Sequence, residues 1–359
     1  MLYLRLIVKF CTITFLYLTK AGDILMCLGK KRKDGILVTD GDPMNHIMPY
    51  IMRSRSESVI YYQNAIEVTP IRDYIKKRRK QGDRITMFNI LMASFLNIFV
   101  LRPKLNRFIA GRRIYEHKGF EGLYVVKLDL SDQAYESIAK VTMTDDDNID
   151  TVAEKMKAQV ELIRQAQEQK SDDKLISLFA KTPRWFLRFA LATLRWLDFH
   201  GWMPKSLTDV IPLYSSVFLS HMGSIGGNAP FHHLYEFGTN SIFITFGKIY
   251  EKPFKGKNGE VEWREVIDMV ATIDERICDG FYLIKSLRIL EHFFETPELL
   301  EISPREMFKY MDSNDIIFGN RKLTISEDIK QRLGIGEIAP KQYHLIFEDE
   351  DLVDSTPED

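Results

Sequence analysis

Three side chains in two short segments could take part in chemistry. Ser220 precedes a glycine-rich stretch at 222–226, and Glu275 and Asp279 lie four residues apart before Gly280. A hydroxyl can donate a hydrogen bond to a developing negative charge, and a carboxylate can accept a proton. The usual glutamate pKa of about 4.3 makes Glu275 a weak base at neutral pH unless burial raises that pKa. A single Ser-x-x-Gly or Asp-Gly occurs by chance in most proteins, so these segments alone assign no reaction.

The residues around Glu275 favour its burial. Strand alternation would place Ile273 and Ile277 on the same face as Glu275, and Arg276 on the opposite face. A buried lone carboxylate must either take up a proton or find a cation. The sequence therefore predicts that Glu275 is desolvated. Arg276 is not an obvious partner for it, whereas Arg53 and Arg55 could be.

The histidines near Ser220 are less suited to be its base. Neighbouring residues alternate between the faces of a strand, so His221 should point away from Ser220. His232 and His233 fall in a predicted loop, where we expect packing or solvent contact. No set of His, Asp and Glu has metal-ligand spacing, and three cysteines cannot form a four-ligand zinc site or a disulfide framework. We expect no metal.

Apolar periodicity predicts the elements that position these side chains. Residues 86–101 are apolar nearly all round, which is typical of a buried helix, whereas 124–130 alternates like a strand. Residues 40–55 have the composition of a loop. Strands are predicted at 58–68, 124–130, 217–219, 242–246 and 263–273, and helices at 69–81, 86–101, 149–169 and 280–294. Helices and strands alternate along the chain, so the fold class is mixed α and β.

Composition narrows the class of protein. Of 359 residues, 45% are hydrophobic and 28% charged, as in ordinary globular proteins, which excludes collagen-like and wholly disordered chains. The 49 basic and 50 acidic residues leave a net charge of −1, without the basic surplus of a nucleic-acid-binding protein. Seven acidic residues within 348–359 predict a disordered tail. We expect an N-terminal appendage at 1–40, a main domain at 41–305 and a C-terminal extension at 306–359.

The first 19 residues are apolar but are interrupted by Arg5 and Lys9. The uninterrupted run at 10–19 is half the length of about 20 residues that a membrane span needs. It could be the apolar core of a signal peptide, or 1–25 could be a non-native extension with translation starting at Met26. We expect a cytoplasmic protein, because the three cysteines give no disulfide pattern.

A helical stretch at 169–212 is rich in aromatic residues. Arg184, Arg188 and Arg195 share one helical face, and tryptophans and phenylalanines are concentrated within 178–202. The favoured interpretation is a helical hairpin packed on the domain with its aromatic side chains inward. Two alternatives stay open: an interfacial helix of 178–202 that contacts a membrane or a lipid acceptor, and an element of a subunit interface.

Four segments, in this order, resemble the chloramphenicol acetyltransferase-like superfamily. Among its branches, the sequence is most similar to the catalytic domain of the acyltransferase component of 2-oxo acid dehydrogenase complexes. The segments are Arg102-Pro103-Lys104-Leu105-Asn106-Arg107-Phe108, like the family's Pro-x-Leu-Asn; the strand and helix at 141–167; Val217-Phe218-Leu219-Ser220-His221-Met222-Gly223-Ser224-Ile225-Gly226 with Phe246-Gly247-Lys248; and Asp274-Glu275-Arg276-Ile277-Cys278-Asp279-Gly280-Phe281 with Thr296-Pro297-Glu298-Leu299-Leu300. The resemblance as a whole extends over about 250 residues, roughly 50–300.

The resemblance implies an α+β fold, a two-layer α/β sandwich in which helices cover a mixed β-sheet, with 169–212 as a helical insertion. It also implies roles for three residues. Ser220 matches the hydroxyl that donates to the oxyanion of the tetrahedral intermediate, and Asp279 matches an aspartate that orders its loop through an arginine, here Arg53 or Arg55. Glu275 stands where the family has the histidine base, so it is either a desolvated base or the sign of a site that has lost this chemistry.

The resemblance further implies an acyl-CoA-dependent acyltransferase that forms a homotrimer with its site between subunits. About 45 residues precede the match, and no Asp-Lys-Ala lipoyl site is present, so we expect a stand-alone enzyme with an unknown small-molecule acceptor. Coenzyme A thioester would be a substrate, and no covalently bound cofactor is expected. The alternative is a non-catalytic relative that binds coenzyme A or another ligand, or acts as a scaffold.

Overall fold

A computed structural model of the chain describes residues 32–39, 41–127, 136–168, 183–256 and 259–310. The strands in these residues are β1 (Gly35–Leu37), β2 (Val59–Glu67), β3 (Arg107–Ala110), β4 (Arg113–His117), β5 (Phe120–Lys127), β6 (Glu136–Met143), β7 (Val217–His221), β8 (Ile242–Lys255) and β9 (Val261–Asp274). The α-helices are α1 (Pro43–Ile51), α2 (Thr69–Lys80), α3 (Met87–Leu101), α4 (Ile149–Glu168), α5 (Arg184–Phe199), α6 (Lys205–Val210), α7 (Gly280–Glu295) and α8 (Pro304–Tyr310).

The main sheet has six strands in the order β2-β9-β8-β7-β5-β6. Strand β7 runs parallel to both β5 and β8, and the other neighbours are antiparallel. A separate sheet has the order β1-β4-β3. Mixed strands with helices packed on them make this an α+β fold, so the predicted fold class is confirmed.

The largest core lies between the main sheet and the helices on one of its faces. Helix α3 is at its centre, with buried residues on every side, as its apolar sequence predicts. Its start is fixed by Thr86, which forms a reciprocal capping box with Asn89. Because α3 is buried on all sides, it packs closely against the main sheet. This packing supports the strands whose ends carry the candidate site residues.

The opposite face of the main sheet carries a small aromatic core. Phe218 of β7 stacks on Phe243 of β8 with ring centroids 4.5 Å apart, and His232 stacks on the same Phe243 at 3.8 Å. Leu123 and Leu234 complete this cluster. The packing role expected for His232 is therefore confirmed.

Short elements in the first half of the chain differ from the sequence prediction. Residues 43–51 form helix α1 rather than a loop, because Asp42 caps it by accepting a hydrogen bond from the Met44 N–H and Pro43 suits the first helical turn. Strands β1, β3 and β4 have three to five residues, too few for a period-2 pattern to show.

The predicted domain boundaries stay predictions. Strand β1 precedes the boundary at 40/41 and pairs with β4, and α8 spans the boundary at 305/306. The apolar segment 1–19 and the acidic tail 348–359 lie outside the described residues.

One buried imidazole predicts a pH-dependent stability. The Nε2 atom of His117 is buried with no hydrogen-bond partner in the described part of the chain. Desolvation lowers the pKa of His117 to about 4, against the opposing attraction of Asp34. The unfolded chain titrates near pH 6.5, so below that pH the unfolded state takes up the proton first. Stability present above pH 6.5 should be lost as the pH falls toward 4, by up to about 3 kcal/mol.

Urea unfolding at pH 7.0, 5.5 and 4.5 measures this loss, and His117→Gln is the matched variant. We expect a shallower pH dependence in the variant because glutamine does not titrate. Equal slopes for the two proteins over this range would contradict the assignment.

Candidate functional site

The glycines that follow Ser220 meet the glycine after Phe246 in space. Residues 222–225 form a single 3-10 turn after β7. A Cβ on Gly223 would lie 2.0 Å from the carbonyl oxygen of Gly247, and the Lys248 N–H donates to the Gly227 carbonyl at 2.8 Å. Only glycine fits such a backbone approach. The contact locks the turn and thereby fixes where the end of β7 places Ser220.

The Ser220 side chain is half-buried, and its hydroxyl is free of hydrogen bonds to the described residues. Ser220 lies opposite Thr245 on β8 and on the same sheet face as Phe218. The Thr245 hydroxyl donates to the Pro230 carbonyl at 2.7 Å, whereas the Ser220 hydroxyl has no partner among the described residues. A positioned hydroxyl without an internal acceptor can donate to a bound ligand.

The side chain of His221 points to the other face, as predicted. Its ring stacks on Phe88, just after the start of α3, with centroids 6.3 Å apart and an interplanar angle of 6°. Burial lowers the pKa of His221. This imidazole is held on the helix-covered side of the sheet and is not placed to serve Ser220.

The predicted burial of Glu275 is wrong. Strand β9 ends at Asp274, and Glu275–Ile277 form a 3-10 turn, so the period-2 alternation stops one residue too early. Ile273 and Ile277 are buried, but the Glu275 side chain is exposed. The Glu275 backbone N–H donates to the Ser58 carbonyl at 2.9 Å, which fixes the backbone while the carboxylate faces outward.

Ser220 and Glu275 are far apart within one protomer. Strand register places Ser220 beside Thr245 and Thr245 beside Val270, and Glu275 follows Val270 by five residues. Five residues of strand and two strand spacings correspond to a separation of roughly 19 Å. The structure does not bring these two candidate residues together in a single chain.

The predicted pairing of Asp279 with Arg53 or Arg55 is wrong. Asp279 caps α7, accepting a hydrogen bond from the Tyr282 N–H at 2.8 Å, and its exposed carboxylate has Lys104 Nζ at 3.9 Å. Arg55 is committed elsewhere: its guanidinium donates to two backbone carbonyls, of Tyr235 at 2.7 Å and Gly238 at 2.8 Å. Arg53 is exposed and makes no ion pair in the described segments.

The buried arginines Arg55 and Arg276 contact Asp274 rather than Asp279. Its carboxylate is fully buried and accepts two hydrogen bonds from the Arg276 guanidinium, at 2.8 and 2.7 Å, and one from the Ser58 hydroxyl at 3.0 Å. Arg55 Nε lies 4.0 Å from the same carboxylate. Burial lowers the pKa of Arg55, and the nearby Arg276 adds to this, while Asp274 opposes it. The sequence contains Asp274 and Arg276 two residues apart, but nothing in the spacing signals that Arg55 joins them.

The aromatic side chains of the insertion are not packed inward, contrary to the favoured interpretation. Helix α5 has no buried residue, and Trp185 and Phe189 are 70% and 68% exposed. The helix is tied down by Asp198, which accepts from Arg32 at 2.8 Å and from the Tyr214 hydroxyl at 3.0 Å. The segment 169–182 lies outside the described residues. The membrane and interface alternatives stay open.

Neither a metal centre nor a spanning helix is found in the part of the chain that the structure describes. No group of three or more His, Cys, Asp and Glu side chains there could hold a metal ion. Each described helix lacks either the length or the apolar character that crossing a membrane requires.

Comparison with known proteins gives matches among solved structures. A scan against protein-family models finds no match, and neither does a search of curated protein sequences. The matching structures include a probable dihydrolipoamide acetyltransferase from Listeria monocytogenes (15% identity, TM-score 0.43, 71% of this chain and 94% of that one). They also include the Azotobacter vinelandii dihydrolipoamide acetyltransferase (13%, 0.47, 73% and 94%) and a chloramphenicol acetyltransferase (13%, 0.45, 72% and 99%). The family that the four sequence segments indicated is represented among these structures.

The Asp274 cluster predicts a large and local stability effect. Asp274→Asn removes the carboxylate that pairs with the buried Arg276 and lies 4.0 Å from the buried Arg55, so we expect a loss of about 3–5 kcal/mol in the free energy of unfolding. Asp279→Asn removes a carboxylate from the same segment but keeps a side chain that can cap α7, and we expect a change below about 0.5 kcal/mol. Denaturant titration compares the two variants, and similar losses in both would refute this assignment.

Proposed function

We propose that the chain transfers an acyl group from a coenzyme A thioester to a diffusible small-molecule acceptor. The observation that carries the proposal is the Ser220 hydroxyl, which has no partner in the described part of the chain and is held at the end of β7 by the contact of Gly223 with Gly247. The resemblance of the four sequence segments to the acyltransferase family supports the link between this hydroxyl and acyl transfer. Their order and spacing carry it, including Ser-x-x-Gly and the later Gly-Lys.

The chemistry assigned to Ser220 is stabilisation of negative charge. An acceptor hydroxyl or thiol loses its proton to a base and attacks the thioester carbonyl carbon, and the carbonyl oxygen becomes an oxyanion. The Ser220 hydroxyl donates to that oxygen. The carbon–sulfur bond then breaks, and coenzyme A leaves as a thiol after taking up the proton. A positioned donor of this kind contributes a factor of about 10²–10³ to the rate.

Glu275 can be the base only in an assembly. The separation from Ser220 of roughly 19 Å means that both act on one substrate only when they come from two copies of the chain. A homotrimer with a site at each interface, as the family resemblance implies, meets this requirement. In such an interface the neighbouring copy covers the exposed Glu275 carboxylate and excludes water from it.

The alternative is a non-catalytic relative that binds coenzyme A or a related ligand. Two observations favour it: Glu275 is exposed in the protomer, and Asp279 caps a helix instead of pairing with a buried arginine. Calorimetry with coenzyme A separates the possibilities, because binding without turnover supports the alternative and no binding removes both.

Ser220→Ala tests the oxyanion role. We expect release of thiol from acetyl-CoA, in the presence of alcohol, amine and thiol acceptors, to fall about 10²–10³-fold with the affinity for coenzyme A unchanged. Ser224→Ala is the matched control, because Ser224 lies in the turn that follows β7 and its hydroxyl already donates to the His221 carbonyl at 2.7 Å. A variant at 220 that turns over like wild type would exclude this role.

Co-expression of two inactive variants tests the shared site. Ser220→Ala and Glu275→Gln chains assembled together regenerate intact sites wherever the first chain contributes Glu275 and the second contributes Ser220. In a closed ring, random mixing restores about a quarter of the sites and hence about a quarter of the wild-type rate. Light scattering measures the assembly in parallel. A monomer, or a mixture as inactive as its components, would contradict a site shared between subunits.

A further inference from the structure

A cavity of about 460 Å³ lies beside the Asp274 cluster, between the main domain and the insertion. Its walls come from the end of α1, the tip of the β3–β4 hairpin, the last turn of α5 and the loop at 236–238. Five arginines line it: Arg53, Arg55, Arg112, Arg195 and Arg276. Its size is within the range of small-molecule sites, and its lining is unusual in carrying so many guanidinium groups.

The carboxylates of the wall are already engaged. Asp198 accepts hydrogen bonds from Arg32 and Tyr214, at 2.8 and 3.0 Å. Glu236 accepts from the backbone N–H groups of Arg55 and Ser56, at 3.2 and 3.0 Å, and from the Ser56 hydroxyl at 2.8 Å. These contacts engage one oxygen of Asp198 and both oxygens of Glu236.

Two of the five arginines form the buried floor of the cavity. Arg55 and Arg276 are buried and share a single carboxylate, that of Asp274. Arg55 Nε is buried without a hydrogen-bond partner in the described chain. Five arginines line the cavity against two carboxylates of the lining, Asp198 and Glu236, and the buried Asp274 beside it, so the positive charges outnumber the negative ones by two. This excess acts more strongly in a poorly solvated cavity than at an open surface.

The remaining three arginines surround the cavity without ion pairs. Arg53, Arg112 and Arg195 have no carboxylate within salt-bridge distance in the residues described. They come from three separate elements: the segment after α1, the β3–β4 hairpin and α5. Guanidinium groups are weakly hydrated and present planar sets of donors that match phosphate oxygens.

The backbone at Arg112 gives an independent sign of function. Gly111 and Arg112 form the tip of the hairpin, with φ angles of +56° and +58°. Such a turn favours glycine or asparagine, and Arg112 is the only non-glycine with positive φ in the described chain. The tip is pressed against α5, because a Cβ on Gly111 would lie 2.2 Å from the Phe199 carbonyl oxygen. An unfavourable conformation kept at a cavity wall points to a role for the side chain it presents.

We propose that this arginine cavity binds a phosphate-bearing ligand, with Arg53, Arg112 and Arg195 as the groups that contact the phosphate and with Arg55 and Arg276 supplying the positive floor. Because α5 belongs to the insertion, one function of the insertion is to close this cavity with Arg195. The proposal does not depend on acyl transfer, since Ser220 is on a distant part of the sheet.

Calorimetry on the full chain with inorganic pyrophosphate is the primary test. We expect binding that weakens with added salt, and a loss of about tenfold or more in affinity for the double variant Arg53→Gln/Arg195→Gln. Both side chains are exposed, so the variant should melt like wild type. Arg72→Gln is the control, because Arg72 is an exposed arginine that pairs with Glu265 on β9 and does not line the cavity.

Arg112→Gly separates binding from structure. Glycine relieves the positive φ, so the melting temperature should stay equal or rise while pyrophosphate affinity falls.

Competition by coenzyme A identifies a soluble organic phosphate as the ligand class, whereas co-sedimentation with phosphatidic acid vesicles, lost in the same variants, identifies a lipid headgroup. Ser220→Ala should bind pyrophosphate like wild type, which keeps this test distinct from that of acyl transfer. The proposal is overturned if none of the three probes binds, or if the arginine variants bind as tightly as wild type.

Discussion

The buried carboxylate of Asp274 is the interaction on which one end of the molecule depends. It ends β9 and accepts hydrogen bonds from Arg276 and from Ser58, the residue before β2. It also faces the guanidinium of Arg55, which in turn holds the loop at 235–238. A single negative charge thus connects the end of β9, the residue before β2, the 3-10 turn after β9 and the loop at 235–238. Since a buried ion pair is costly to break but seldom the most stabilising choice, its value lies in fixing one arrangement of these segments.

The position of Asp274 determines the surroundings of both Glu275 and the arginine cavity. The 3-10 turn after Asp274 directs Glu275 outward, where it can meet only a molecule or chain from outside the protomer. The two arginines that share Asp274 form the floor of the arginine cavity on its inner side. Ser220 is fixed by a different device, the glycine contact at the far end of β7, so the two candidate sites can be altered independently.

Much of the fold could be predicted from the sequence, because long elements leave clear periodic patterns. The buried helix predicted at 86–101 is α3 (Met87–Leu101), and the strand predicted at 58–68 is β2 (Val59–Glu67). The site was harder to predict, because it depends on where elements end and on contacts between distant residues. Burial of Glu275 was inferred from alternation that stops at Asp274, and the partner of Arg55 follows from three-dimensional packing that no spacing records.

The attachment of α5 has a dynamic consequence. A helix without buried residues gains little from the hydrophobic effect, so its order rests on the hydrogen bonds of Asp198 and the contact at Gly111. Helices of this kind open locally at a small fraction of the global unfolding free energy. The amides of α5 should therefore exchange with solvent long before those of α3, so one wall of the arginine cavity is far more labile than its floor.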